Sequence, residues 1–246
     1  MIRTAATLVA SAALKPFGLE VRRIPANGDL DPAPPPTDPN YSLFRYLDAR
    51  GEFDYERYRA AQVEANKRKI DKVWVQPRNI KLLSDYLLQR GIKPSFGICH
   101  GTRRGLEQQW FSEHLGCSVL GTDISDTAEQ FPNTIQWDFH EVKPEWIGAA
   151  DFIYSNAFDH AYDPAKCLEA WVSCLKPDGL LFIEHSSDDV TAKESDPFGA
   201  PLQVMPYLVL KWSGGRYSVR QIVEAPEPTV FLGQSIDVWF LVIARS

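Results

Sequence analysis

Residues able to bind hydroxyls or move protons recur where apolar runs stop. Asp123 ends Val119-Leu-Gly-Thr, Asp138 ends Thr134-Ile-Gln-Trp, and Asp159-His160 follow Asp151-Phe-Ile-Tyr-Ser-Asn156. His185 closes Leu180-Leu-Phe-Ile-Glu184, with Ser186, Asp188 and Asp189 just beyond. A carboxylate at such a position can accept both hydroxyls of a sugar diol, and a histidine titrating near neutrality can take a proton from a nucleophile. His160 is the first candidate for that base and His185 the second, with Asp159 beside His160. Asp, Ser and His are also ligands for a divalent ion, but their spacing is not diagnostic and no metal is assigned.

These residues need strand ends to hold them, and the hydrophobic pattern supplies the strands. Extended runs are expected at 95–99, 118–122, 134–137, 151–156 and 180–184, the last after the turn Leu175-Lys-Pro-Asp-Gly179. Helical spacing places Ile80, Leu83, Tyr86 and Leu87 on one face of a helix over 78–90, which Gly91 ends. Further helices are expected over 105–115, 164–175 and 202–212. Strands alternating with helices imply an α/β fold with a mostly parallel, doubly wound sheet, and ligands then gather at the carboxyl ends of its strands. The β-branched and aromatic runs 217–224 and 236–244 would complete seven strands with an antiparallel edge. Residues 1–76 are expected to form an N-terminal helical arm, a linker with six prolines between Pro25 and Pro39, and a charged lid helix over 56–72; residues 77–246 form the main domain.

In that order and at those spacings the chain resembles the class I, Rossmann-like S-adenosylmethionine-dependent methyltransferases. The resemblance implies S-adenosyl-L-methionine as cofactor, held by the turn after strand one, the acid ending strand two and the acid ending strand three. The family's turn reads acid, any residue, then three glycines at alternate positions. Here it reads Gly97-Ile-Cys99-His100-Gly101-Thr-Arg103, and only the central glycine remains. By position, Gly97, Cys99, His100, Gly101 and Arg103 would face the methionine end. Asp123 with Ile124 would take the ribose, Asp138 with Phe139 the adenine, and Asn156 the end of strand four. The loop of Asp159 and His160 falls where the methyl group would point, with His160 relieving an acceptor hydroxyl of its proton. A side chain at 99 or 103 requires either a backbone torsion that favours glycine or a turn of altered shape. Two other classes compete: a catalytically inactive methyltransferase-like partner module, and a nicotinamide enzyme, which also spaces an acid about twenty residues beyond its glycines but needs a GxGxxG pattern that is absent.

Composition narrows the partners. A formal charge of −6 opposes a broad nucleic-acid footprint, because such binding depends on Lys and Arg neutralising phosphates. Cys99, Cys117, Cys167 and Cys174 show no CxxC pair and read as packed thiols, which suits the cytoplasm. Residues 1–14 carry a short, weakly apolar run like that of a signal peptide but too short to cross a bilayer as a helix. With Lys15, Arg22 and Arg23 among apolar residues, the segment has the composition either of a docking helix and strand or of a peripheral membrane contact. Phe17-Gly-Leu-Glu-Val-Arg-Arg-Ile-Pro25 resembles the leading segment of methyltransferases that accompany surface-polysaccharide assembly. A sugar or glycan hydroxyl is thus the first acceptor expected, and another small molecule the second. Oligomeric state is not legible.

Overall fold

The computed structural model describes residues 39–246; the expected N-terminal segment and nearly all of the proline-rich linker lie outside them. Seven runs pair into one sheet: β1 (Phe96–His100), β2 (Ser118–Asp123), β3 (Thr134–Gln136), β4 (Ala150–Ser155), β5 (Leu175–Ser186), β6 (Tyr217–Glu224) and β7 (Val238–Arg245). Their spatial order is β3-β2-β1-β4-β5-β7-β6. The first five run parallel, and β7 runs antiparallel to both β5 and β6. The antiparallel strand therefore sits one place in from the edge, and β6 holds the edge.

Side chains alternate across the sheet, so each strand feeds two cores. Ile98, Ile153, Leu181 and Ile183 pack on one face, while Cys99, Phe152, Tyr154 and Phe182 pack on the other. The first face is covered by α4 (Pro164–Cys174) and α5 (Met205–Ser213), the second by α2 (Pro77–Gln89) and α3 (Leu106–Leu115). Helix α2 starts with Pro77, which loses nothing at a position whose amide has no intrahelical partner. It buries Ile80, Leu83 and Leu87 as the spacing implies. Between β2, β3 and β4 the chain makes only short 3₁₀ turns, Asp126–Gln130 and Pro144–Trp146.

The expected turn at 175–179 lies within one strand. Ala150 pairs with Leu175 and Phe152 with Leu180, so Lys176–Gly179 bulge out of β5. Gly179 suits this point, since a Cβ there would lie 2.9 Å from the Ala150 carbonyl oxygen.

Two elements reach over the carboxyl ends of the strands. Helix α1 (Tyr55–Arg68) starts at Asp54, whose carboxylate accepts the Arg57 amide. It buries Tyr58, Gln62 and Asn66 along one stripe. A hairpin that the sequence reading left out pairs Thr229–Phe231 with Gln234–Ile236. Its turn residues Leu232 and Gly233 have φ of 50° and 81°, the left-handed pair that matches strand twist in a tight hairpin. Among the described residues no helix is long and apolar enough to cross a membrane.

Candidate functional site

The tips of β1, β2, β4 and β5 open into a cavity of about 390 Å³, roofed by α1 and the hairpin. Of the residues singled out from the sequence, Gly101, Arg103, Asp123, Ile124, Asp138, Phe139, Asn156, Asp159 and His160 line it. Gly97, Cys99, His100 and His185 do not. Strand β1 extends through His100, so alternation still governs its last side chains. Cys99 enters the core beneath α2 and α3. His100 stacks on Trp171 at 5.1 Å on the opposite face and bonds Thr122 Oγ1. Gly97 lies against Phe152, whose Cζ would be 2.3 Å from a Cβ. His185 alternates with Glu184 and Ser186, which do reach the cavity, and is buried on the other face.

The turn after β1 keeps left-handed geometry with only one of the family's three glycines. Gly101 has φ 71°, and a Cβ there would meet the Ala157 methyl at 2.4 Å. Arg103 has φ 46°, a conformation uncommon outside glycine. Two bonds offset that strain: its amide donates to Asp123 Oδ2 at 3.0 Å, and its guanidinium donates to the Lys72 carbonyl at 3.1 Å. The guanidinium therefore ties down the chain after α1. The amides of Gly101 and Thr102 both donate to the Thr122 carbonyl, so the turn spends its donors internally.

Asp123 is likewise engaged. Oδ1 accepts Asn66 Nδ2 at 2.9 Å and the Ser125 amide at 2.9 Å, in addition to the Arg103 bond on Oδ2. Burial raises its pKa, with the Ser125 and Arg103 amides pulling the other way. Asp138 accepts Tyr55 Oη at 2.9 Å and the His140 amide at 2.9 Å, and His140 Nδ1 lies 2.8 Å from it. Burial would raise this carboxyl, but those hydrogen bonds outweigh it and hold the pKa low. Tyr55, Asn66 and two further residues of α1 thus bond groups at three strand tips. Tyr58 Oη donates to the His160 carbonyl, and Gln62 meets the His160 ring.

The His160 tautomer follows from its partners. Nδ1 lies 2.8 Å from the Ser195 carbonyl oxygen and 2.9 Å from Gln62 Oε1; a carbonyl can only accept, so Nδ1 carries the proton. That leaves the lone pair on Nε2, 3.9 Å from Asp159 Oδ1. Burial lowers the ring's pKa, against the pull of Asp196, so the ring is neutral near pH 7. Asp159 is pushed well up by burial and by Asp189 and Asp196. The same end of the cavity holds Ser186, Asp188 and Lys193, whose ammonium lies 2.6 Å from Asp196. Asp159, His160 and Asp196 each offer one atom within 4.8 Å of the others.

Two residues absent from the sequence reading also face this cavity. Thr102 Oγ1 and Glu107 Oε2 are buried and have no hydrogen-bond partner among the described residues. Buried polar atoms are seldom left so, and a zwitterionic amino acid carries the groups that would complete both. The cavity, the strand-tip acids and these orphaned atoms together fit S-adenosylmethionine. Composition could not mark either residue, because being unpartnered is a property of the packing.

Residues 98–183 match the family model described as a methyltransferase domain. No curated protein sequence matches the chain. Among solved structures, Burkholderia thailandensis 1,6-didemethyltoxoflavin-N1-methyltransferase, with 1,6-didemethyltoxoflavin and S-adenosylhomocysteine bound, is 15% identical. The match covers 85% of this chain and 97% of that one, with a TM-score of 0.61. The plantazolicin methyltransferase BpumL, in complex with S-adenosylhomocysteine, is 17% identical over 77% of this chain and 96% of its own, with a TM-score of 0.55. At such identities the likeness is one of fold. With the domain match over residues 98–183, it gives this chain the fold of the Rossmann-like methyltransferases.

Proposed function

We propose that the chain methylates a hydroxyl of a small molecule, a sugar or glycan unit being the first candidate, with His160 as general base. The observation that carries this reading is the His160 ring, fixed by the Ser195 carbonyl with its proton on Nδ1 and its lone pair on Nε2 at the cavity wall. When bound, S-adenosylmethionine supplies an electrophilic methyl group on a sulfonium. Asp123 and Ile124 would hold the ribose, Asp138 and Phe139 the adenine side, and Thr102 and Asn156 the amino-acid end. The acceptor would lie against Asp159, Ser186, Asp188 and Asp189, a set rich in hydrogen-bond acceptors that suits a substrate with several hydroxyls. His160 Nε2 takes the hydroxyl proton as the oxygen becomes nucleophilic, and Gln62 and the Ser195 carbonyl keep the ring oriented. Phe231 and Leu232 of the hairpin, with α1, limit access of water.

His160→Ala is expected to lower turnover at least 100-fold while changing S-adenosylhomocysteine affinity less than threefold; undiminished turnover removes the assignment. Asp123→Ala is expected to weaken that ligand about tenfold or more, measured by calorimetry. A second reading, an inactive partner module, draws on the turn amides that bond internally and on Asn66 at Asp123. Failure of the wild type to bind S-adenosylhomocysteine at millimolar concentration would favour it.

A further inference from the structure

A carboxylate without a counter-ion stands beside the turn that follows β1. Glu107 lies in the first turn of α3, is only 4% exposed and lines the cavity with Gly101, Thr102, Arg103 and Asn156. Its Oε1 accepts the Asn156 amide, at 3.3 Å, and its Oε2 accepts nothing among the described residues. Nor does a cationic side chain among them pair with it: the nearby Arg103 guanidinium is turned to the carbonyls of Lys69 and Lys72. Burying an ionisable group this way is costly unless a partner arrives. Strand β1 has no room for an acid of its own at Gly97, where Phe152 fills the space.

We propose that Glu107 is the counter-ion for the ammonium group of the cofactor's amino-acid moiety, supplied from α3 across the turn. The assignment rests on the reading that this cavity binds S-adenosylmethionine, and it names the one protein carboxylate that meets the ligand's permanent amine. Asn156 fixes the carboxylate through Oε1, which leaves Oε2 for the ligand. The neighbouring Thr102 hydroxyl, also unpartnered, would meet the opposite charge of the zwitterion. Burial, reinforced by Glu184 and opposed by its own backbone amide, Arg103 and Asn156, pushes the Glu107 carboxyl up to about 8. The free protein thus holds it as a neutral acid near pH 7, and an arriving ammonium draws off its proton.

Calorimetry of the full chain, wild type and Glu107→Gln, tests this with three ligands: S-adenosylhomocysteine, its analogue lacking the α-amino group, and 5′-methylthioadenosine, which lacks the whole amino acid. The wild type is expected to bind S-adenosylhomocysteine at least tenfold tighter than the deaminated analogue, and the variant to bind the two within twofold, with methylthioadenosine unchanged. A variant that keeps the tenfold preference overturns the assignment. So does one that loses methylthioadenosine in proportion. A further readout needs no variant: heats measured at pH 7 in two buffers of different ionisation enthalpy should show close to one proton released with S-adenosylhomocysteine and none with the deaminated analogue; equal release with both overturns the proposal. If the wild type binds none of the three, including methylthioadenosine, the cofactor reading itself fails and takes this one with it.

Discussion

At Arg103 two demands meet on one residue. Its backbone occupies the left-handed region, which costs a non-glycine residue about 1 kcal/mol, while its side chain fastens the segment after α1 to the turn. Glycine would remove the strain but add a roughly similar entropic cost in the unfolded chain, and it would remove the guanidinium. Arg103→Gly is therefore expected to leave the melting temperature within about 2 °C of wild type, since about 1 kcal/mol moves a domain of this size by only 2–4 °C. The released segment should instead become sensitive to trypsin at Lys69 and Lys72. A drop of many degrees, or unchanged cleavage, would show that the side chain's bonds are not what secures it. The same residue explains how a sequence lacking two of three turn glycines still makes the turn: the conformation is kept, and the amide bond to Asp123 offsets its cost.

At the scale of elements, α1 and the strand tips form one polar interface. Tyr55, Tyr58, Gln62 and Asn66 recur at helical spacing and bond Asp138, the His160 backbone, the His160 ring and Asp123 in turn. Asn66 also accepts from Thr127 Oγ1, so its amide is held at both ends. On the proposed assignment of Asp123, a ribose hydroxyl at its Oδ1 would have to replace that amide. Asn66→Ala is expected to lower stability by about 1–2 kcal/mol, the loss of a buried hydrogen-bonding group, yet to hold or improve S-adenosylhomocysteine affinity. Calorimetry and thermal melting check both; a tenfold loss of affinity would make Asn66 a ligand contact instead. How far the sequence reveals this site follows from the same interface. Asp123 and Asp138 were legible because they stop apolar runs, and the structure places both at the cavity. Cys99 and His100 were misplaced because the strand runs one residue further than its composition signals, so the pleat sends them into opposite cores. The charged helix was legible, but not that its buried face is polar, because only the strand tips make buried Gln62 and Asn66 tolerable. The hairpin carried one signal, Leu232-Gly233, in the stretch between the expected strands 217–224 and 236–244, to which no element was assigned.

Across the whole molecule, buried ionisable groups of opposite tendency set the pH range in which the fold is most stable. Burial pushes His100 down to about 3 and His185 to about 4, from an ordinary 6.5. It pushes Glu184 up to about 7 and Glu107 to about 8, from 4.5. Below pH 6.5 the unfolded chain protonates both histidines while the native state keeps them neutral, so each removes stability as pH falls. Above pH 4.5 the unfolded chain releases both glutamate protons while the native state retains them, so each removes stability as pH rises. Between 4.5 and 6.5 the two effects oppose one another. Outside that window one of these two pairs acts without the other, at roughly 1.4 kcal/mol per group per pH unit. Urea denaturation across pH 3.5 to 9 is expected to show a plateau from about 4.5 to 6.5, a steep acid limb, and an alkaline limb that levels off by about pH 8. His100→Gln should make the acid limb shallower, and Glu107→Gln should end the alkaline limb near pH 7, where Glu184 alone remains. An alkaline limb unchanged in Glu107→Gln would mean that this carboxyl is already ionised in the native protein, with a partner that the buried side of the cavity does not show.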